Sequence, residues 1–120
     1  MAQNGRYYRP KKFRILENRA PRVELRSWAG KMVTAVGEID RIDRLGINVA
    51  VKNIKIVDEK GMHDAADHVW IRVADNSPLK LTTSPGDKVQ FVTQVVSYNR
   101  RGEQDYSLAD PSSVRLVGDV

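Results

Sequence analysis

The sequence predicts an all-β protein: a small closed barrel of five strands, preceded by a basic arm. From Lys31 onward, β-branched residues alternate with period two between clusters of turn residues, the pattern of half-buried strands. Five such runs fit within about 90 residues, where a sandwich usually needs about seven. Gly37 interrupts the first run where a bulge or sharp bend is expected, and closing a bent sheet on itself removes its exposed edges.

The elements follow in order. Met1 to Pro10 is polar, punctuated by Gly5 and Pro10, and offers no apolar face to repay ordering, so it reads as an arm. Between Phe13 and Trp28 the apolar residues are broken by Pro21, which leaves room for a short helix at most, ending at Gly30. The arm with its short helix is expected over residues 1–28 and the barrel over 29–120. The first strand is expected at Met32 to Ile42, followed by a turn at Asp43 to Gly46. In the second, Ile47 to Val57, residues Ile47, Val49 and Val51 share a face while Ile54 and Ile56 fall in the opposite phase; a bulge near Lys52 and Asn53 reconciles them. A polar loop is expected at Asp58 to Asp67. The third strand, His68 to Val73, turns Val69, Ile71 and Val73 one way and His68, Trp70 and Arg72 the other. Ser84-Pro85-Gly86-Asp87 is a turn, the fourth strand runs from Lys88 to about Tyr98, and the fifth lies within Tyr106 to Val117, broken at Asp110-Pro111. There is no internal repeat.

Particular stretches resemble a known fold group. Trp28-Ala29-Gly30-Lys31-Met32-Val33-Thr34-Ala35-Val36-Gly37 resembles the lead into the first strand of OB-fold nucleic-acid-binding domains, and Pro85-Gly86-Asp87-Lys88-Val89-Gln90-Phe91 resembles their fourth-strand opening. Asp67-His68-Val69-Trp70, and the tail from Asp105-Tyr106-Ser107-Leu108 through Pro111 to Val114, are similar to small OB proteins of phages and mobile elements. The resemblance spans residues 28 to 117 and implies a five-stranded Greek-key OB-fold barrel that binds single-stranded nucleic acid. One departure stands out: only Ala74 to Gly86, with Pro78 inside, separates the third and fourth strands, so the helix that usually plugs the barrel there is short or absent. The segment before Gly30 is expected to substitute, with Leu25 or Trp28 beneath the barrel.

Charge and composition bound the function. Residues 1–29 hold eight Lys/Arg against two Glu, a net +6 of the chain's +5, while the other 91 residues hold twelve basic against thirteen acidic. A concentrated cationic field attracts a polyanion and releases its counterions, and a near-neutral body folds without self-repulsion. With no cysteine, thiolate nucleophiles, disulfides and sulfur-bound zinc are excluded. The apolar runs are far shorter than the ~20 residues that span a bilayer and the amino terminus has no secretory core, so no membrane is expected and the chain reads as cytoplasmic. His63 and His68, flanked by Asp64 and Asp67, match neither zinc nor calcium spacing, and the carboxylates are scattered singly. No catalysis, cofactor or metal is expected.

What remains is binding. An OB barrel presents the face of its second and third strands, edged by the loops between strands one and two and strands four and five. Those surfaces correspond to Arg41, Arg44, Lys52, Lys55, Trp70, Arg72, Tyr98, Arg100 and Arg101, and the arm adds Arg6, Tyr7, Tyr8, Arg9, Lys11 and Lys12. Aromatic rings stack on bases and cations hold phosphates, a combination that grips single strands with little sequence preference. The phase slip leaves only one of Lys52 and Lys55 securely outward, Trp70 stands open between stacking and burial, and one of Tyr98 and Tyr106 is expected to finish the core. The expected partner is single-stranded DNA, favoured over RNA. The alternative is a protein-interaction or assembly module in which Tyr7, Tyr8 and Phe13 anchor the arm to another protein or to a second copy of the chain.

Overall fold

In a computed structural model of the chain, which describes residues 22–43 and 47–118, five antiparallel strands form one sheet in the order β3-β2-β1-β4-β5. They are β1 (Met32–Ile42), β2 (Asn48–Asp58), β3 (Gly61–Arg72), β4 (Lys88–Arg100) and β5 (Glu103–Leu116). The outer strands β3 and β5 come into contact as the sheet curls, which gives the all-β, OB-like architecture expected, although no ladder joins them. Arg22 spans the seam. Its guanidinium donates from Nε and Nη2 to the His68 carbonyl in β3 (3.2 and 3.1 Å) and from Nη1 to the Tyr106 carbonyl in β5 (2.9 Å).

β1 curls because two irregularities bend it. Its register against β2 shifts between Val36 and Glu38 and again between Ile39 and Arg41. At the first shift Asn53 takes a positive φ of 54°, and the extra residue lets Val49, Val51, Ile54 and Ile56 all enter the core, as the opposed phases of β2 required. Gly37 faces that bulge. A Cβ there would lie 2.6 Å from Val51 Cγ1 and 3.2 Å from the Lys52 carbonyl, so only glycine lets the strands approach this closely.

Two short helices fill the barrel ends. A 3-10 helix at Val23–Trp28 contacts both β3 and β5, with Leu25 fully buried in the core and Trp28 half-buried against it, the substitute plug expected from the sequence. Between β3 and β4 the chain forms only a single-turn helix, α1 (Pro78–Leu81), short as expected; Ser77 caps it by accepting from the Leu79 amide at 3.2 Å, and Leu79 is buried.

Two expectations are corrected. Residues 58–67 are not a polar loop: Asp58 pairs with Gly61 across a two-residue turn, and the hairpin arm of β2 and β3 continues from there. This arm lacks a run of β-branched residues in β3, and its exposed cross-strand pairs His63–Asp58 (2.9 Å) and Lys55–Asp64 (2.6 Å) are polar, so it has the composition of a loop. Nor does Asp110-Pro111 divide the fifth strand. β5 runs unbroken from Glu103, absorbing the proline with positive φ at Asp110 and Ser113 and two register shifts against β4.

Candidate nucleic-acid interface

Register places the outward-facing side chains in rows across the sheet, since residues directly opposite one another share a face. Arg41, Ala50 and Trp70 form one row over β1, β2 and β3. Ala50 between them is fully covered, and the exposed Arg41 and the half-buried Trp70 stand on either side of it, two strand spacings or about 9–10 Å apart. Trp70 is thus on the outer face and accessible in part. Arg72, exposed, lies on the same face opposite Asn48, and neither Arg41 nor Arg72 forms an ion pair among the described residues.

The next row runs Lys88, Glu38, Lys52, His68 across four strands. Lys52 Nζ lies 3.5 Å from Glu38 and 3.9 Å from Asp40, and His68 Nε2 lies 3.1 Å from the other oxygen of Asp40. Asp40, on β1, therefore reaches both Lys52 of β2 and His68 of β3. The His68 ring meets Trp70 edge to face at 6.1 Å between centroids, which fixes the indole's orientation. Beyond it, Lys55 is held by Asp64. Lys52 and Lys55 both point outward, because the bulge restores the phase between them. Asp64 sits below the ordinary carboxylate range chiefly because Lys55 donates to it, and Asp58 likewise because of His63.

At the β4–β5 tip, Arg100 opposes Glu103, leaving Arg101 and Gly102 as a two-residue turn with φ of 54° and 82°, the type I′ geometry that matches strand twist. Arg101 is exposed at the apex. Arg100 folds back instead: its Nε donates to Asp105 at 3.0 Å, as does the Tyr98 hydroxyl at 3.0 Å. Asp105 is fully buried, and its second oxygen accepts from the Arg22 amide at 2.9 Å. Tyr98 keeps 37% of its surface exposed whereas Tyr106 is core, the division expected of the pair. The root of the basic leader and the arginine hairpin thus meet at one carboxylate, and the Arg22 side chain carries the link on to the His68 carbonyl.

Arg6, Tyr7, Tyr8, Arg9, Lys11, Lys12 and Arg44 lie outside the described residues. Sequence reasoning passed over His68, Lys88 and Arg22 as surface-building residues. The period-two phase already turned His68 outward beside Trp70, but Arg22 lay in the leader with nothing local to mark its role. Among the described residues, no three His, Asp or Glu stand close enough to hold a metal ion, and no helix is long and apolar enough to cross a membrane.

No protein-family model matches the chain, and neither does any curated protein. Among solved structures it is similar to a small single-stranded DNA-binding protein from Streptomyces coelicolor, with 19% identity over 72% of this chain and 93% of that one and a TM-score of 0.38. What this chain binds has to follow from its own surface.

Proposed function

We propose that the protein binds single-stranded nucleic acid, DNA in preference to RNA, without catalysing a reaction, and that it coats or presents the strand in the cytoplasm. Trp70 and Tyr98 stack on bases, Arg41, Arg72 and Arg101 hold phosphates, and the arm through Arg6, Tyr7, Tyr8, Arg9, Lys11 and Lys12 lies along the continuing backbone. The observation that carries this reading is convergence. Arg22, at the root of a leader of net +6, bonds to the same buried Asp105 that holds Tyr98 and Arg100, and its guanidinium grips the strand that bears Trp70. A leader and hairpin leaving opposite ends of the barrel would have no common track.

The deciding experiment is an anisotropy titration across salt with single-stranded DNA, single-stranded RNA and duplex of one length. Affinity for the single strand is expected to exceed that for duplex and to fall steeply with ionic strength. Equal preference for duplex rejects the single-strand reading.

A second reading, an assembly module like those of phages and mobile elements, draws on Met32 and Leu116, apolar side chains left 59% and 58% exposed. In it the arm docks on a partner protein or another copy of the chain. Purified protein free of nucleic acid before any high-salt wash, and unresponsive to added single strands, favours this second reading.

A further inference from the structure

The outward side chains around the first half of β1 stand in rows unlike those beside Trp70, because they carry almost no charge. Met62, Val57, Thr34, Val92 and Ser112 lie opposite one another across all five strands, and Met32, Gln94 and Ala109 form the row beside them. Their strand neighbours Val33, Ala35, Phe91 and Thr93 are buried, which turns these side chains to the outer face. Met32 and Met62 are 59% and 56% exposed. On the other flank runs the row Asp64, Lys55, Val36, Gln90, Arg115, in which Lys55 is paired with Asp64. There the surface sinks into a mostly apolar groove of about 410 Å³, bounded by Asn53 and Met62 of the β2–β3 arm on one side and by Gln90 and Val117 on the other, with Val36 of β1 between them.

We infer that this face joins two copies of the chain, sheet against sheet, about a two-fold axis that runs along the Thr34 row. Register selects the occupant. Such an axis lays each residue of that row on its counterpart and reverses the strands, so Met32 of one copy comes over Val36 of the other, and Gln94 over Gln90. The exposed, unbranched Met32 then enters the groove of the other copy, and the same contact forms twice. Arg115 comes over Ala109, so no charge in these rows meets its like. This matters for a chain of net charge +5, whose copies repel unless they meet where like charges stay apart. Two rows without a cation also offer a nucleic-acid backbone nothing to hold, which disfavours a bound strand as the occupant. The rows span about 20 Å across the strands and about 14 Å along them, a contact for a reversible pair rather than an obligate dimer. Arg41, Trp70 and Arg72 lie outside all three rows, so the pair leaves that face open.

The test is sedimentation equilibrium of the full chain, stripped of nucleic acid, whose mass is expected to double as concentration rises from micromolar to millimolar. Met32→Asp is expected to raise the dissociation constant about tenfold or more, since it puts an unpaired carboxylate into an apolar groove. Met32 is exposed, so the variant keeps the fold, and Leu81→Asp, equally exposed but on α1, leaves the constant unchanged. The chain has no cysteine, so a single introduced thiol reports on one position. A short bifunctional maleimide is expected to couple two Thr34→Cys chains and not two Arg72→Cys chains. A mass that stays monomeric at every concentration overturns the pairing, as does parental association of Met32→Asp or coupling through Arg72→Cys alone. Association lost on removing residues 1–12 assigns the contact to the leader and overturns this face. A monomer whose Met32→Asp variant binds single strands more weakly overturns the pairing and gives the face to nucleic acid.

Discussion

Asp105 is the residue on which local and global structure meet. Its two oxygens accept from the amides of Arg22 and Tyr106, the hydroxyl of Tyr98 and Nε of Arg100, so a fully buried charge has a donor for each lone-pair direction. Asp105→Asn keeps the shape but offers one acceptor oxygen where there were two, leaving buried donors unmatched. Urea denaturation is expected to show a loss of about 3–5 kcal/mol, the cost of breaking a buried pair. Exposed pairs behave differently. Asp58 and Asp64 have folded-state pKa values below their unfolded ones, so the support they lend is complete above the ordinary carboxylate pKa and is lost only as pH falls through the lower folded values. Stability followed from neutral pH downward is therefore expected to show no loss attributable to these two groups until the solution is more acidic than about 4. Gly37→Ala sets a methyl against Val51 and the Lys52 carbonyl, an overpacking expected to cost about 1–3 kcal/mol by the same denaturation measurement.

At the scale of elements, the 3-10 helix is anchored chiefly by Leu25, its one fully buried residue, with Trp28 half-buried beside it. It makes no side-chain cap and is too short to hold itself, so truncating Leu25 to Ala removes both the plug and the reason for the helix. A loss of about 2–5 kcal/mol in thermal or urea unfolding is expected. The strands were readable where one face is apolar: β1 has the bounds the alternation sets, and the β2 bulge follows from isoleucines in the wrong phase. The β2–β3 arm was not, because both its faces carry polar pairs and periodicity registers burial rather than hydrogen bonding. The candidate surface divides in the same way. Alternation turned Trp70 and Arg72 outward, but it could not reveal that Arg100 is drawn back to Asp105, since that contact depends on a long-range fold in which Arg22 closes the other side.

For the whole molecule, charge and curvature act together. A near-neutral barrel with mixed-sign rows presents its free arginines at Arg41 and Arg72 beside an oriented indole, while the excess positive charge is in the leader. Trp70→Ala is expected to weaken single-strand binding by about 1–3 kcal/mol, read by anisotropy, without altering the melting temperature as Leu25→Ala would. Removing residues 1–12 takes away four cations and is expected to flatten the logarithmic salt dependence by up to about 3. Arg22 has one more implication. The barrel's two outermost strands are riveted by a side chain that also begins the leader, so tension applied to the leader reaches the rivet directly. Hydrogen exchange at the β3 and β5 amides beside His68 and Tyr106 would then report whether a cargo tugging on the leader loosens the cylinder along its length or draws it tighter.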